Sequence, residues 1–185
     1  MNYLINIYQT SFANLQSATQ NWLLPSAARL VFAGVLLVYY INSGLTKLGD
    51  GFFGFLSPST GAYGSIFPKA MEAVFFDTSQ LSWLHWLVAV AGTWAEFLLP
   101  IAIVLGLFTR LAALGMAGFI VVQSYVDIFG HGLGAKFIGT WFDGNSGALI
   151  FDQRVFWILA LLILVLRGAG PVSLDRIFAI ERRPS

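Results

Sequence analysis

Between Leu81 and Phe108 the chain carries one charged side chain, Glu96, in a run that measures about 42 Å at the helical rise, longer than the hydrocarbon core of a bilayer. A segment of this kind folds as a membrane-spanning helix, because lipid offers no partner to backbone polar groups that the segment leaves unpaired. Glu96 then lies near the bilayer midplane, where a carboxylate costs about 2.5 kcal/mol or more unless it protonates, pairs or meets water. It is the leading candidate for a proton donor or acceptor. The alternative is a neutral, hydrogen-bonded glutamic acid that fastens two helices.

The rest of the chain agrees with a membrane setting: of 185 residues 57% are hydrophobic and only 10% charged. Ten basic residues scattered against nine acidic ones give no footing for nucleic acid. The absence of cysteine excludes an iron-sulfur cluster, thiolate metal sites and disulfide exchange. His85 and His131, the only histidines, lack helical ligand spacing, so neither haem nor another metal site is expected.

An all-α, polytopic membrane protein follows, an antiparallel bundle of four transmembrane helices with long loops and an interfacial amino-terminal segment. Residues 1–24 form that segment: Leu4, Ile5, Tyr8, Phe12 and Leu15 recur at helical spacing opposite Asn6, Gln9, Ser11 and Asn14. An amphipathic helix at the membrane surface, or else a disordered polar tail, accounts for this pattern. No basic residue precedes Arg29, so no cleaved signal is expected. The bundle occupies 25–175, with helices at about 26–48, 81–107, 110–129 and 152–167, and a basic tail covers 176–185. Only Thr109-Arg110 separates the second and third helices, which must form a tight hairpin. The charge-free part of the fourth, Val155 to Leu166, is about 18 Å long. Either Asp152-Gln153-Arg154 enters the membrane or the bilayer is locally thin there.

Basic residues set the orientation. One side holds Arg29, Arg110, Arg167, Arg176, Arg182 and Arg183, whereas Lys47, Lys69, Lys136 and Arg154 on the other are diluted by six carboxylates. Both termini are therefore expected in the cytoplasm of a multi-pass protein of the bacterial inner (plasma) membrane. The loops at about 49–80 and 130–151 then face outward. Their aromatic content favours interfacial or re-entrant pieces packed over the bundle mouth.

Arg29 opening the first helix, Gly44-Leu45-Thr46-Lys47-Leu48 closing it, Glu96 in the second, Gly106-Leu107-Phe108-Thr109-Arg110-Leu111-Ala112-Ala113 at the hairpin and Gly168-Ala169-Gly170-Pro171-Val172-Ser173-Leu174-Asp175 after the fourth resemble the DoxX family of small four-helix membrane proteins. The resemblance runs from about Arg29 to Asp175 and implies an association with quinol oxidation. The aromatic first loop and the Asp152-Gln153-Arg154 entry resemble the bacterial subgroup that accompanies small secreted metal-binding peptides.

On ideal helices with a shared midplane, Glu96 falls near the centre, Asn42 and Gln123 a turn or two outward, and Asp127, His85, Lys47 and Arg154 near the outer mouth. A polar funnel results. Lys47 is placed about 15 Å from Glu96 along the normal, so Asn42, Gln123 or water is the nearer partner. Lys47 and Arg110 also read as interface anchors. Arg29 is either such an anchor or, beside Arg110, part of an anion or headgroup site. Ser173 and Asp175 read as the N-cap and first-turn acid of a short helix. Tyr39, Tyr40 and Trp94 either line a ring pocket or pack.

Two function classes emerge. In one the chain is a redox-associated subunit that binds a quinone or quinol, with Glu96 handling protons, Asn42 and Gln123 holding the oxygens, and Lys47, Asp127 and Arg154 lining the funnel. In the other it is a non-catalytic platform or permeation component serving a small secreted or metal-handling partner. Membrane lipid and either a protein partner or a second copy are expected around it.

Overall fold

The computed structural model describes residues 2–180, and all of their regular structure is helical. Helix α1 (Asn2–Thr19) carries no charged side chain, and every residue from Tyr3 to Ala18 is exposed. Four long apolar helices follow at intervals: α2 (Leu23–Lys47), α5 (Trp83–Leu105), α6 (Thr109–Gly130) and α8 (Leu149–Arg167). Short helices α3 (Thr60–Ile66) and α4 (Pro68–Ala73) lie between α2 and α5, α7 (Ala135–Ile138) lies between α6 and α8, and α9 (Leu174–Ile177) follows the last span. The length and apolar character of the four spans make this a multi-pass membrane protein.

The spans close into a ring, with α2 packed on α5 and α8, and α6 packed on the same two. Helical spacing explains the core. Phe32, Leu36 and Tyr40 form one stripe of α2, and Ala112, Ala113, Met116 and Ile120 one stripe of α6; they meet Ile103 from α5 and Leu161 and Leu164 from α8. The outward residues, such as Leu30, Val35, Leu98, Leu111, Val122 and Leu159, are apolar and exposed, as a helix surface facing acyl chains requires. Close approach of α2 and α5 depends on Gly44, where a Cβ would lie 2.7 Å from the Phe97 ring.

Three of the spans contain a π-helical turn, at Ala33–Leu37 in α2, Val126–Gly130 in α6 and Leu149–Arg154 in α8. The fourth span reaches 19 residues by continuing the helix through Asp152, Gln153 and Arg154.

At one end of the bundle lie the long loops. Tyr63 and Met71 from α3 and α4 bury themselves with Ala89 of α5, and Ile66 packs on Gly92, so α3 and α4 sheathe the first third of α5. Residues 48–58 loop out and return, since the Ser59 N–H donates to the Lys47 carbonyl at 3.0 Å. The indoles of Trp86 and Trp94 donate to the carbonyls of Leu56 and Phe55 at 2.9 and 3.0 Å, satisfying loop carbonyls.

At the other end α5 turns into α6 through Gly106-Leu107-Phe108. Gly106 takes a left-handed conformation (φ +70°), and the N–H groups of Leu107 and Gly106 return to the Ala102 and Ile103 carbonyls in a Schellman arrangement. Thr109 and Arg110, expected as the turn, instead open α6, because the glycine three residues earlier supplies the reversal.

Candidate functional site

Tyr40, Ser43, Gly44 and Lys47 recur at helical spacing along the α2 face that meets α5. The absent side chain at Gly44 brings the α2 backbone against Phe97, and this sets Ser43 beside Glu96: the Ser43 hydroxyl donates to Glu96 Oε1 at 3.1 Å. One turn further on, Lys47 reaches back. Its Nζ lies 2.9 and 3.0 Å from the two Glu96 carboxylate oxygens and donates to Ser43 Oγ at 2.7 Å. Glu96 is 3% exposed and Lys47 9%, so this is an ion pair removed from water. The mutual charge and the shared serine make such burial tolerable. Pro100, one turn beyond Glu96, has no N–H, which leaves the Glu96 carbonyl without its ordinary helical partner beside the pair.

The contact between Lys47 and Glu96 corrects the estimate of about 15 Å between them. That figure assumed that α2 and α5 end at one level. They are staggered: α5 continues outward past the end of α2, sheathed there by α3 and α4, and the lysine chain points inward along the seam. Asn42 faces the other way, exposed, and makes no hydrogen bond to Glu96 among the described residues. His85, on the sheathed part of α5, packs against the Phe67 ring and shares a hydrogen bond with Ser82 Oγ at 2.8 Å. Trp94 does not line a pocket with Tyr39 and Tyr40, because its ring stacks edge-on to Phe55 of the loop.

A second polar group lies across the bundle on α6 and α8. Arg154, 2% exposed, sets Nη2 2.6 Å from Asp127 Oδ2 and donates from Nη1 to Ser124 Oγ at 2.9 Å. Both members of this pair stand on π-helical turns. Beside it, Gln123 accepts from the Tyr40 hydroxyl at 3.2 Å and donates to the Tyr39 hydroxyl at 3.1 Å. Tyr40, wholly buried, lies one turn before Ser43 on α2 and bonds Gln123 of α6, so it links the side of the bundle that holds Glu96 to this second group. Of the expected funnel, Gln123, Asp127 and Arg154 come together, Lys47 joins Glu96 instead, and Asn42 belongs to neither group.

The hairpin end holds a third group of buried donors and acceptors. Arg29 donates to the carbonyls of Ile103, Val104, Ala169 and Val172. These contacts cap the C-terminal end of α5, where carbonyls lack intrahelical partners. They also occupy the guanidinium, in place of the anchor or anion site expected for it. Ser173 Oγ accepts from the Arg176 N–H at 3.3 Å as the N-cap of α9. The Asp175 carboxylate turns away from its own helix to the first turn of α6, accepting from Phe108 and Thr109 N–H. This third group is structural.

Two side chains of the site, Ser43 and Ser124, escape a reading by charge or aromaticity alone. Their signal is positional, since each lies one helical turn before a charged residue on the same face, Lys47 and Asp127 respectively.

No curated protein and no solved structure matches the chain. A family model described as DoxX matches residues 24–126, which takes in α2, α5 and nearly all of α6 and leaves α8 and the Gly168–Asp175 segment outside. The matched range is more than half of the chain and includes Arg29, the Lys47–Glu96 pair and the α5–α6 hairpin: the chain belongs to the DoxX family.

Proposed function

We propose that this DoxX-family protein is a redox-associated subunit of the bacterial inner membrane, with both termini cytoplasmic, that binds a quinone or quinol and handles its protons at Glu96. The observation that carries the reading is the buried contact of Glu96 with Lys47 and Ser43 inside the spans. The Lys47 ammonium and the Ser43 hydroxyl offset the burial of an ionised Glu96, which keeps a carboxylate available at that depth to accept a proton; uptake then raises the net charge of the pair by one. A bound quinol would supply two electrons and two protons; the Glu96 carboxylate would accept the protons one after the other, passing the first on before taking the second, with the Lys47 ammonium as its counter-charge. Gln123 donates one amide hydrogen to Tyr39 and retains a second, the Tyr39 hydroxyl accepts there and keeps its own proton, and the Arg154 Nε is buried with no hydrogen-bond partner among the described residues, so the donor set fits a molecule that presents carbonyl oxygens. Electrons pass to or from a partner protein.

Extraction in mild detergent tests this. Near-stoichiometric quinone should accompany the protein, and Glu96→Gln should keep the quinone and the fold while failing to complement a deletion strain. Full complementation by the Gln variant would end the proton-handling role, and a bundle free of quinone would end the reading.

One observation favours the platform class. Phe52, Phe75 and Phe142 are each at least 85% exposed at the long-loop end. That surface suits a protein partner as well as lipid headgroups. Retained complementation by Glu96→Gln together with its loss in Phe52→Ser would favour this reading.

A further inference from the structure

The Arg154 guanidinium carries more donors than its neighbours accept. Nη1 and Nη2 serve Ser124 and Asp127, while Nε lies buried with no partner among the described residues. An unpaired buried N–H is costly, the more so at a charged group, and such an orphan calls for an explanation. Three features point to one. Arg154 and Asp127 cancel in charge, as do Lys47 and Glu96, so the polar interior is neutral and disfavours an anion. Trp157 stands one turn from Arg154 on the same face of α8, and its ring lies 5.8 Å from that of Tyr39 on α2, so the seam beside the pair is aromatic. Tyr39 is 42% exposed on the lipid-facing side, yet its hydroxyl is bonded to Gln123 within the polar group. Tyr39 therefore joins the outer face of α2 to the buried polar group.

We propose that the Arg154 Nε–H is the donor to a neutral carbonyl oxygen on the head of a membrane-soluble amphiphile, which enters sideways past Tyr39 and Trp157. The π-helical turns of α6 and α8 serve this by adding a residue to the turn that carries each partner, beside the contact of Arg154 with Asp127. The quinone head of the proposed function is a molecule of this kind, and in that form the inference rests on that reading. The ester carbonyl of a glycerolipid shares the chemistry.

The test is equilibrium binding of a decyl-tailed benzoquinone to the full-length protein in nanodiscs of ether-linked lipid, repeated in discs of ester-linked lipid. Arg154→Lys keeps the charge opposite Asp127 but removes the Nε donor, and it should weaken binding about tenfold. Trp157→Ala leaves Arg154 intact and should also weaken binding, which keeps the test decisive if the lysine variant fails to stay monodisperse. Wild-type affinity that is equal in both lipids assigns the position to the quinone; tighter binding in ether lipid assigns it to lipid esters, which then compete. Wild-type binding that neither variant changes would overturn the role of Arg154 and leave the quinone reading standing. No binding to the wild type in either lipid would end both.

Discussion

Asp175 caps a helix to which it does not belong: Oδ1 accepts the Phe108 N–H at 2.6 Å and Oδ2 the Thr109 N–H at 2.8 Å, while its own N–H donates to the Gly106 carbonyl at 2.7 Å. A carboxylate at a helix N-terminus satisfies orphan donors and complements the dipole. Asp175→Ala should therefore lower stability by about 1–3 kcal/mol. The readout is the thermal midpoint of the protein in detergent, with Asp175→Asn falling between the two. An unchanged midpoint in the Ala variant would mean that the α6 terminus is held by other contacts.

Lys47 and Glu96 should behave as a unit. Lys47→Met leaves a buried carboxylate without its counter-charge, a loss of about 3–5 kcal/mol. The double variant Lys47→Met with Glu96→Leu removes both charges and should be more stable than Lys47→Met alone, although inactive. A cycle of unfolding free energies measures the coupling. Additive losses would show that the two side chains act independently.

Acid should loosen the turn Thr78–Gln80. Hydrogen bonds to the Asp77 carboxylate from the side chains of Gln80 and Ser79, and from the Ser79 N–H, hold its pKa below the ordinary 3.8. A lowered carboxylate pKa means that folding favours the ionised form, so the stabilisation is fully present above 3.8 and disappears as pH falls through the lower folded value. Amide exchange at Ser79 and Gln80 should remain slow at neutral and mildly acid pH and accelerate below that range. Asp77→Asn should make it insensitive to acid.

The orientation of the bundle is open to a labelling experiment, since the chain has no cysteine. Ser146 in the loop before α8 and Ser11 on α1 are both exposed. With cytoplasmic termini, a membrane-impermeant thiol reagent applied to intact cells should modify Ser146→Cys and spare Ser11→Cys. The reverse pattern would invert the topology.

The spans themselves were legible because a long apolar run has one outcome in lipid, and Glu96 stood out because a charge inside such a run demands an explanation. The partner of Glu96 was not legible. Stagger between α2 and α5 depends on where α3 and α4 pack, which is a tertiary property that no count of residues from a helix end contains. The same holds for Asp175, whose local pattern reads as a first-turn acid while its carboxylate serves a terminus 66 residues earlier. Arg154 shows a mixed case. Its place at the entry of the fourth helix was readable, but its burial follows from a π-helical turn that the sequence pattern does not announce.

Arg29 ties the start of the first span to carbonyls that lie 140 and 143 residues further along, at Ala169 and Val172. During synthesis those acceptors emerge after all four spans. The first helix must enter the membrane with its guanidinium only provisionally solvated, and the hairpin end of the ring locks only after the segment beyond the fourth helix has left the ribosome. Emergence of the segment after the fourth helix is thus the event that closes this end of the bundle, and a product cut short before Ala169 would hold its spans in the bilayer with that clasp unmade.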